Sequence, residues 1–226
     1  MHATKPDQPA LADLPLATIA LEIGGRRWTV SAVIDQDALL ELAPRFTNIP
    51  YGLLLWESAV ALATRLAAEG GGLDGRSLLE LGAGVGLAGL VARATGARVT
   101  QTDHDALALA VARRNGDANG ITGIVQLVAD WRSWEHAPCY DLIIGADIVY
   151  DQSVHADLAR IFTRNLAPGG RIVLADPDRP RTLGLLATLE DAGWRLALEI
   201  MAVAGLPPAR NSATVDISIF TATRPD

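Results

Sequence analysis

The stretch ELGAGVGLAG, residues 80–89, decides the fold of this 226-residue chain. It begins inside SLLEL, residues 77–81, a short apolar run typical of a buried strand. It continues into GLAGLVARATG, residues 86–96, where the spacing of the apolar residues predicts a helix. A glycine-rich turn between a strand and a helix lets the backbone approach a ligand closely. The stretch therefore predicts an α/β fold with a binding site at this turn.

Strand-like and helix-like segments alternate from this turn towards the end of the chain. The predicted strands are ARVTQT (97–102), IVQLVA (124–129), YDLIIGADIVY (140–150) and RIVLAD (171–176), and the predicted helices are DALALAVARRNG (105–116), VHADLARIFTRNL (154–166) and TLGLLATLEDAG (182–193). This alternation is typical of a mainly parallel sheet with helices on both faces. The last two strands, WRLALEIMAVA (194–204) and TVDISIFTAT (214–223), have no helix between them, so we expect them to pair antiparallel.

Three regions divide the chain. Residues 1–15 are rich in Pro, Asp and Ala, and we expect a flexible tail. Residues 16–50 form an N-terminal extension, in which two alternating apolar and polar segments around Gly24-Gly25 predict a β-hairpin. Residues 51–226 form the main domain, and WESAVALATRLAAEGGG (56–72) is its first predicted helix.

Composition excludes several classes of function. A net charge of −7 disfavours binding to nucleic acid or to an anionic membrane, so we expect neither partner. One cysteine and four histidines without ligand spacing predict no metal site. We see no apolar leader and no run long enough to cross a bilayer, and we expect a cytoplasmic protein. Lys5 is the only lysine, so chemistry that requires a lysine within the fold is excluded.

Acidic residues lie at or near the carboxyl ends of four consecutive predicted strands. In chain order they are Glu80, Asp103, Asp130 and Asp147. In an open parallel sheet, ligands bind at the edge formed by the carboxyl ends of the strands. An acid at the end of a buried strand costs solvation free energy unless a partner satisfies it. Four such acids at one edge therefore indicate a ligand-binding rim.

The glycine-rich stretch fits two binding motifs. Gly84-Val-Gly-Leu-Ala-Gly89 matches a dinucleotide-binding pattern, with Asp103 close to the spacing for a ribose hydroxyl. Glu80-Leu-Gly-Ala-Gly-Val-Gly86 instead resembles the first motif of S-adenosylmethionine-dependent methyltransferases, and an acid before the first glycine suits a ligand with an ammonium group. Short-chain dehydrogenases and P-loop enzymes need a lysine that this fold lacks. We therefore favour a methyltransferase over a nicotinamide enzyme.

The resemblance extends from about residue 17 to residue 223 and is to the lysine methyltransferase family that includes the methyltransferase-like 21 proteins and the calmodulin-lysine methyltransferase. The resemblance rests on the hairpin, Trp56, the stretch 80–89, Thr102-Asp103, Asp130-Trp131 and Ala146-Asp-Ile-Val-Tyr-Asp151. The last contains the family's Asp-x-x-Tyr motif. Related enzymes acting on nucleic-acid bases or glutamine amides have two prolines where this chain has Ile148-Val149.

One further segment bears on the subfamily. ADPDRP, residues 175–180, resembles the electron-transfer-flavoprotein lysine methyltransferases. That subgroup has Pro-Gly-Gly after the position of Trp56, where this chain has Glu57-Ser58-Ala59. The substrate therefore stays open at this point.

The resemblance implies a Rossmann-like, seven-stranded class I methyltransferase sheet with a terminal antiparallel pair, and S-adenosyl-L-methionine as the cofactor. Together with the strand-end acids, it assigns the following residues to cofactor binding: Trp56, Glu80, Gly82, Ala83, Gly84, Gly86, Asp103, Asp130, Trp131 and Ala146. It assigns Asp147 and Tyr150 to catalysis, with a lysine side chain of a protein substrate as the acceptor. Asp147 would orient the neutral amine, and Tyr150 would pack against the lysine stem.

Three alternatives stay open. Asp147 could cap a turn while Tyr150 lies in the core. The acceptor could be a small-molecule amine or another metabolite, which a deep, closed pocket would favour. The chain could also be a non-catalytic binding module, although such a module has no physical reason to keep three buried acids. For a protein acceptor, we expect the hairpin and the loop 204–214 to flank the mouth of the pocket.

Overall fold

The computed structural model describes residues 9–46, 49–206 and 214–224. The helices are α1 Gln36–Leu42, α2 Glu57–Ala68, α3 Leu87–Ala94, α4 Ala106–Ala118, α5 His155–Asn165 and α6 Thr182–Asp191. The strands are β1 Leu16–Ile23, β2 Arg26–Val33, β3 Ser77–Leu81, β4 Arg98–Asp103, β5 Val125–Val128, β6 Tyr140–Ala146, β7 Leu166–Asp176, β8 Arg195–Val203 and β9 Val215–Thr223. Most of the predicted tail (1–8) and most of the predicted loop at the pocket mouth (207–213) lie outside the described residues.

Strands β3 to β9 form one seven-stranded sheet in the order β5-β4-β3-β6-β7-β9-β8. The first five of these strands run parallel, and β9 pairs antiparallel with both β7 and β8. The expectation of a mainly parallel sheet closed by an antiparallel pair is confirmed. Strand β3 lies between β4 and β6, so the strand order reverses at β3. The chain continues from β3 to β4 and β5 on one side and then returns to β6 on the other. Open α/β sheets bind ligands in the crevice at such a point.

Apolar side chains fill both faces of the sheet. Successive residues of β3 point to opposite faces of the sheet, so Leu78 packs in the core with α2, α3 and the hairpin, whereas Leu79 packs in the core with α5 and α6. The same alternation places Ile144 on the first face and Ile143 on the second, and all four side chains are fully buried. Burial on both faces explains why these strands read as nearly continuous apolar runs. Among the residues described, no helix has the length and apolar character needed to cross a membrane.

The hairpin of β1 and β2 turns at Gly24 (φ +61°) and Gly25 (φ +71°), as predicted. Its second strand is held against α4 by side-chain amides. Asn115 accepts the backbone N–H of Ser31 at 2.7 Å and donates to the carbonyl of Ser31 at 3.0 Å. Asn119 makes the equivalent pair of bonds to Thr29 at 2.9 and 2.8 Å. The hairpin therefore docks through an edge that would otherwise expose backbone polar groups.

Several predicted element ends were wrong, among them the start of β7, which begins at Leu166 rather than at Arg171. The helix expected to close near Asn115-Gly116 continues to Ala118, because the Asn115 amide is fully buried against the hairpin and does not break the helix. The fourth strand of the main domain was expected to reach Tyr150, but β6 ends at Ala146. Asp147 has a left-handed backbone (φ +58°) that turns the chain out of the sheet, although its N–H still donates to Ala175 on β7 at 2.8 Å.

Gly86 offers a direct test of the packing between the glycine-rich turn and α4. Its φ is +87°, and an added Cβ would lie 2.6 Å from the Cβ of Ala112. We expect Gly86→Ala to lower the free energy of unfolding by about 2–4 kcal/mol, from the left-handed backbone and the overpacking. Urea unfolding followed by circular dichroism measures the change. Gly71→Ala is the matched control, since its Cβ would meet no atom within 4 Å, and an equal loss there would contradict the explanation.

Candidate active site

The turn after β3 lies very close to three other segments of the chain. At Gly84, with φ +53°, an added Cβ would lie 2.9 Å from the carbonyl oxygen of Gly52. At Gly82, an added Cβ would lie 2.8 Å from a methyl group of Ile148 and 3.3 Å from the ring of Trp131. Side chains at these positions would close the crevice. The glycines therefore leave room for a ligand beside the backbone.

A cavity of about 90 Å³ lies at this turn. Ten of the twelve residues that the sequence assigned to the site line it: Trp56, Glu80, Gly82, Ala83, Gly84, Asp103, Trp131, Ala146, Asp147 and Tyr150. The other two lie elsewhere. Gly86 packs against α4, and Asp130 lines an adjoining cavity of about 510 Å³. Trp131, His104, Tyr51, Tyr150 and Ile49 border both cavities, so the two spaces are neighbours.

Glu80 is a deeply buried acid at this edge, with 3% of its surface exposed. One of its oxygens accepts the backbone N–H of Gly89 at 3.2 Å, and the other accepts the side-chain amide of Gln101 at 2.8 Å. Burial raises the pKa of the Glu80 carboxyl to about 8, against the lowering effect of these two bonds. Glu80 therefore ties the start of α3 to β4 while it borders the cavity.

Asp103 joins the glycine-rich turn to the end of β4. Its carboxylate accepts the backbone N–H of Gly84 at 2.9 Å and that of Asp105 at 3.0 Å. His104 Nδ1 lies 3.3 Å from Oδ1 of Asp103, the oxygen that also accepts from Asp105, and this contact raises the pKa of the His104 imidazole. A carboxylate has about four acceptor positions, so Asp103 can still accept a bond from a ligand in the cavity.

Asp130 and Trp131 occupy the turn that follows β5. The Asp130 carboxylate accepts the backbone N–H of Arg132 at 2.9 Å and so caps the 3₁₀ turn Trp131–Ser133. The cap fixes the indole of Trp131 against Gly82. Trp134, in contrast, is buried in the core on the α5 and α6 face of the sheet and donates to Asn165 at 2.9 Å.

Asp147 is held by an arginine that the sequence analysis did not assign. The guanidinium of Arg179 pairs with both Asp147 oxygens, in one direct ion pair through Nη1 and one hydrogen bond of 3.2 Å through Nη2. Only 8% of the Asp147 side chain is exposed. Among the hydrogen bonds of the described residues, no backbone N–H donates to the Asp147 carboxylate, so the geometry does not match a turn cap. The partner that a buried strand-end acid requires is therefore Arg179.

Asp147 and Tyr150 also face a third cavity, of about 540 Å³, on the outer side. Tyr51, Trp56, Arg179 and Arg181 contribute to its lining. Tyr51 borders all three cavities, with its ring centroid 6.4 Å from those of both Trp56 and Tyr150. Tyr51 was missed because it lies in a short 3₁₀ turn with no periodic signal. Its position five residues before Trp56 was the one available clue.

We call the cavity of about 90 Å³ at the glycine-rich turn the inner cavity and the third cavity, of about 540 Å³, the outer cavity. Asp147 borders both. Within the described part of the chain, no cluster of three or more His, Cys, Asp or Glu residues is arranged to hold a metal ion. The inner cavity is bordered by the glycine-rich turn and by the carboxylate of Asp103 at the end of β4. The outer cavity is bordered by aromatic rings and by the Asp147 carboxylate, which is paired with Arg179.

Solved structures place this architecture among the class I methyltransferases. The N-methyltransferase NodS from Bradyrhizobium japonicum, in complex with S-adenosyl-L-homocysteine, has 20% sequence identity and a TM-score of 0.57, covering 75% of this chain and 87% of that one. Magnesium protoporphyrin IX methyltransferase from Synechocystis, with bound S-adenosylmethionine, has 18% identity and a TM-score of 0.57, covering 75% of this chain and 79% of that one. These similarities establish the fold.

Residues 35–182 match the sequence profile of the family described as lysine methyltransferase. This match covers more than half of the chain, and the chain belongs to that family. The family expected from the glycine-rich motif and Asp-x-x-Tyr is therefore confirmed.

Curated relatives of this chain carry several names. "Protein N-lysine methyltransferase METTL21A" from Xenopus tropicalis is 35% identical over 128 residues, covering 54% of this chain and 59% of that protein. "Histone-arginine methyltransferase METTL23" from mouse is 29% identical over 156 residues, covering 65% and 62%. "Electron transfer flavoprotein beta subunit lysine methyltransferase" from mouse is 28% identical over 138 residues, covering 60% and 53%. The chain thus spans about half to two thirds of the relatives it matches.

The raised pKa of Glu80 predicts a pH-dependent cost to stability. Between the ordinary value of 4.5 and about 8, the unfolded chain releases a proton that the folded protein retains, so this cost grows with pH in that window. Glu80→Gln has no such proton. We expect the stability of Glu80→Gln relative to the wild type to increase from pH 5 to pH 8, as measured by urea unfolding at both pH values. A constant difference would show that the folded-state pKa is not raised.

Proposed function

We propose that this protein is an S-adenosylmethionine-dependent methyltransferase that modifies a lysine side chain of another protein. The observation that carries the proposal is the position of Asp147, which borders both the inner cavity at the glycine-rich turn and the outer cavity lined by aromatic rings. An acceptor reaching Asp147 from outside would meet a ligand held inside. Membership of the lysine methyltransferase family supports the same reading.

The inner residues fit the proposed cofactor. The close approaches at Gly82 and Gly84 leave the backbone accessible, and the Asp103 carboxylate retains acceptor capacity for ribose hydroxyls. The indole of Trp131 borders the inner cavity beside the turn, and Asp130 lines the adjoining cavity into which an adenine would extend. When bound, S-adenosylmethionine supplies a methyl group on a positively charged sulfur.

The outer residues fit an amine acceptor. At pH 7.4, holding a lysine with an ordinary pKa of 10.4 in the neutral form costs about 4 kcal/mol. The Asp147 carboxylate would accept a hydrogen bond from the neutral amine and direct its lone pair towards the inner cavity, which is catalysis by positioning. Tyr150 and Trp56 border the path and would contact the aliphatic stem. Burial raises the pKa of the Tyr150 phenol, and the Tyr150 ring would pack against the lysine stem or a methylated ammonium.

A protein is favoured over a nucleic acid or a metabolite as the acceptor. The net charge of −7 disfavours a phosphate backbone. The outer cavity has a volume of about 540 Å³ and is lined by Gln36 on α1 and by Arg181, among others, so it has room for a side chain presented by a larger molecule. The relatives named for protein lysine, and those named for histone arginine, point to side-chain nitrogens of proteins.

The first test of the proposed function concerns the cofactor. We expect calorimetry to detect binding of S-adenosylmethionine and S-adenosylhomocysteine but not of NADH. Asp103→Ala should weaken binding by about 1.5–3 kcal/mol, the value typical of a hydrogen bond to a charged group. Asp191→Ala is the control, because Asp191 is exposed at the end of α6, away from the cavities. Tight NADH binding without binding of S-adenosylmethionine would refute the assignment of the inner cavity.

The second prediction concerns the acceptor. Lysate from cells lacking the enzyme would be incubated with the protein and methyl-labelled S-adenosylmethionine, then analysed by mass spectrometry. We expect label on protein lysine, and we expect Asp147→Asn to abolish transfer while cofactor binding by calorimetry persists. Self-labelling on lysine is confined to Lys5, so it is easily recognised.

The alternatives give different labels in the same experiment. Label on arginine would assign the acceptor named in the METTL23 relatives, and label confined to small metabolites or removed by nuclease would exclude a protein acceptor. Near-wild-type turnover by Asp147→Asn would show that Asp147 does not act on the acceptor. Loss of cofactor binding in that variant would instead place Asp147 among the cofactor contacts.

A further inference from the structure

Arg179 sits between two carboxylates that end neighbouring strands. Asp147 follows β6, and Asp176 is the last residue of β7 and fully buried. The backbone N–H of Arg179 donates to Asp176 at 2.8 Å, and its guanidinium Nη1 lies 3.7 Å from the other Asp176 oxygen. The same guanidinium pairs with both oxygens of Asp147. Asp176 therefore anchors the loop, and the loop delivers the guanidinium to Asp147.

The backbone is specialised for this delivery. Among the described residues, only Asp147 and Asp178 combine a side chain with a positive φ, at +58° and +61°. One turns the chain out of β6, and the other lies directly before Arg179. Left-handed backbone is uncommon outside glycine, and it persists where surrounding contacts determine it. Asp147 is thus a member of the ion pair, and Asp178 directly precedes the arginine of the same pair.

An unpaired Asp147 would be a poor neighbour for an amine nucleophile. A carboxylate within about 4–6 Å of an ammonium favours the charged form and raises its pKa by roughly 1–3 units. The reacting amine must instead be neutral, because the lone pair on nitrogen forms the new N–C bond. An isolated Asp147 would thus bind lysine tightly in its unreactive state.

We propose that Arg179 is a positioning residue that holds the Asp147 carboxylate in place and offsets its charge, so that the acceptor amine binds uncharged. The inference rests on the proposed function of the same site. The ammonium loses its proton to solvent before it binds, and the neutral amine donates a hydrogen bond to the fixed carboxylate. In the transfer, the N–C bond forms as the C–S bond breaks, and the electron pair of the broken bond goes to sulfur.

The charges around the acceptor position come from several elements. The groups that face it or its immediate neighbours are Asp147, Asp176, Asp178, Arg179, Arg181, Tyr51 and Tyr150. Burial raises the pKa of the Asp176 carboxyl, and the Arg179 guanidinium lies farther from Asp176, at 3.7 Å, than from the Asp147 oxygens with which it pairs. Arg181 donates to the carbonyl of Tyr150 at 3.1 Å, and the ion pairs of the described residues include none between Arg181 and Asp147. The charge balance at the acceptor thus depends on Arg179.

The test compares pH profiles of a neutral variant and a charged variant. Arg179→Met and Arg179→Gln remove the charge, whereas Arg179→Lys keeps it. Single-turnover transfer to the same lysate proteins, with saturating labelled cofactor, would be measured from pH 6.5 to 10. We expect the midpoint of the acidic limb to move upward by about one pH unit or more in both neutral variants, and to stay near the wild-type value in Arg179→Lys. Arg98→Met is the control, because Arg98 is exposed at the amino end of β4, at the opposite edge of the sheet, and its midpoint should equal that of the wild type.

A second readout does not depend on turnover. Carbon-13-labelled n-butylamine, as a mimic of the lysine stem, would be titrated by NMR in the presence of each protein and S-adenosylhomocysteine. The pKa of the bound amine should be higher with Arg179→Met than with the wild type. Calorimetry with S-adenosylhomocysteine verifies that each variant is folded.

Each outcome decides between the inference and its alternatives. Unshifted midpoints in folded neutral variants would overturn it, and so would a shifted midpoint in Arg179→Lys, which would indicate a purely steric role. Failure of the wild type to label any lysine would refute the proposed function itself, a result distinct from an unshifted profile.

Discussion

The structure depends on satisfying carboxylates that are buried at the carboxyl edge of a parallel sheet. Each such carboxylate costs solvation free energy, and each is held by a donor from a different segment. Glu80 accepts from α3 and β4, and Asp103 accepts from the glycine-rich turn. Asp147 is paired with the loop after β7. These bonds tie β3, β4, β6 and β7 together at the one place where the edge must also remain open.

The arrangement divides the work between the two ends of the site. Inside, the donors to Glu80 and Asp103 are mostly backbone N–H groups and an amide, which are neutral and fixed by the turn. Outside, the donor to Asp147 is a charged guanidinium on a long, partly exposed side chain. A neutral, rigid inner shell suits a ligand that is always the same. In the outer pair the guanidinium offsets the charge of Asp147, as the inferred binding of an uncharged amine requires.

The N-terminal hairpin belongs to the same construction. Its bonds to Asn115 and Asn119 fix it against α4, and Asn115 also donates to the carbonyl of Val85 in the glycine-rich turn at 2.9 Å. A single buried amide thus connects the hairpin, the helix and the turn. Trp28 and Val30 of the hairpin are buried in the same core as the first helices. The hairpin therefore supports the turn from behind.

The sequence by itself determined the architecture and the location of the site. Periodicity separated strands from helices, and the missing helix before β9 predicted the antiparallel pair, because these signals come from neighbouring residues. Strand-end acids such as Asp103 and Asp147 could be placed at one edge, since parallel strands end together. The glycine spacing and Asp-x-x-Tyr then indicated the family.

Only the tertiary structure decided which groups meet. Arg179 and Asp147 are 32 residues apart, and Asn115 and Ser31 are 84 apart, so no local pattern joins them. The end of β6 at Ala146 was missed because a left-handed aspartate follows no simple propensity. Tyr51 was missed because its role comes from three cavities that exist only after folding. Residue types and spacing determine the elements and the edge, whereas pairings across loops depend on distances that only the folded chain defines.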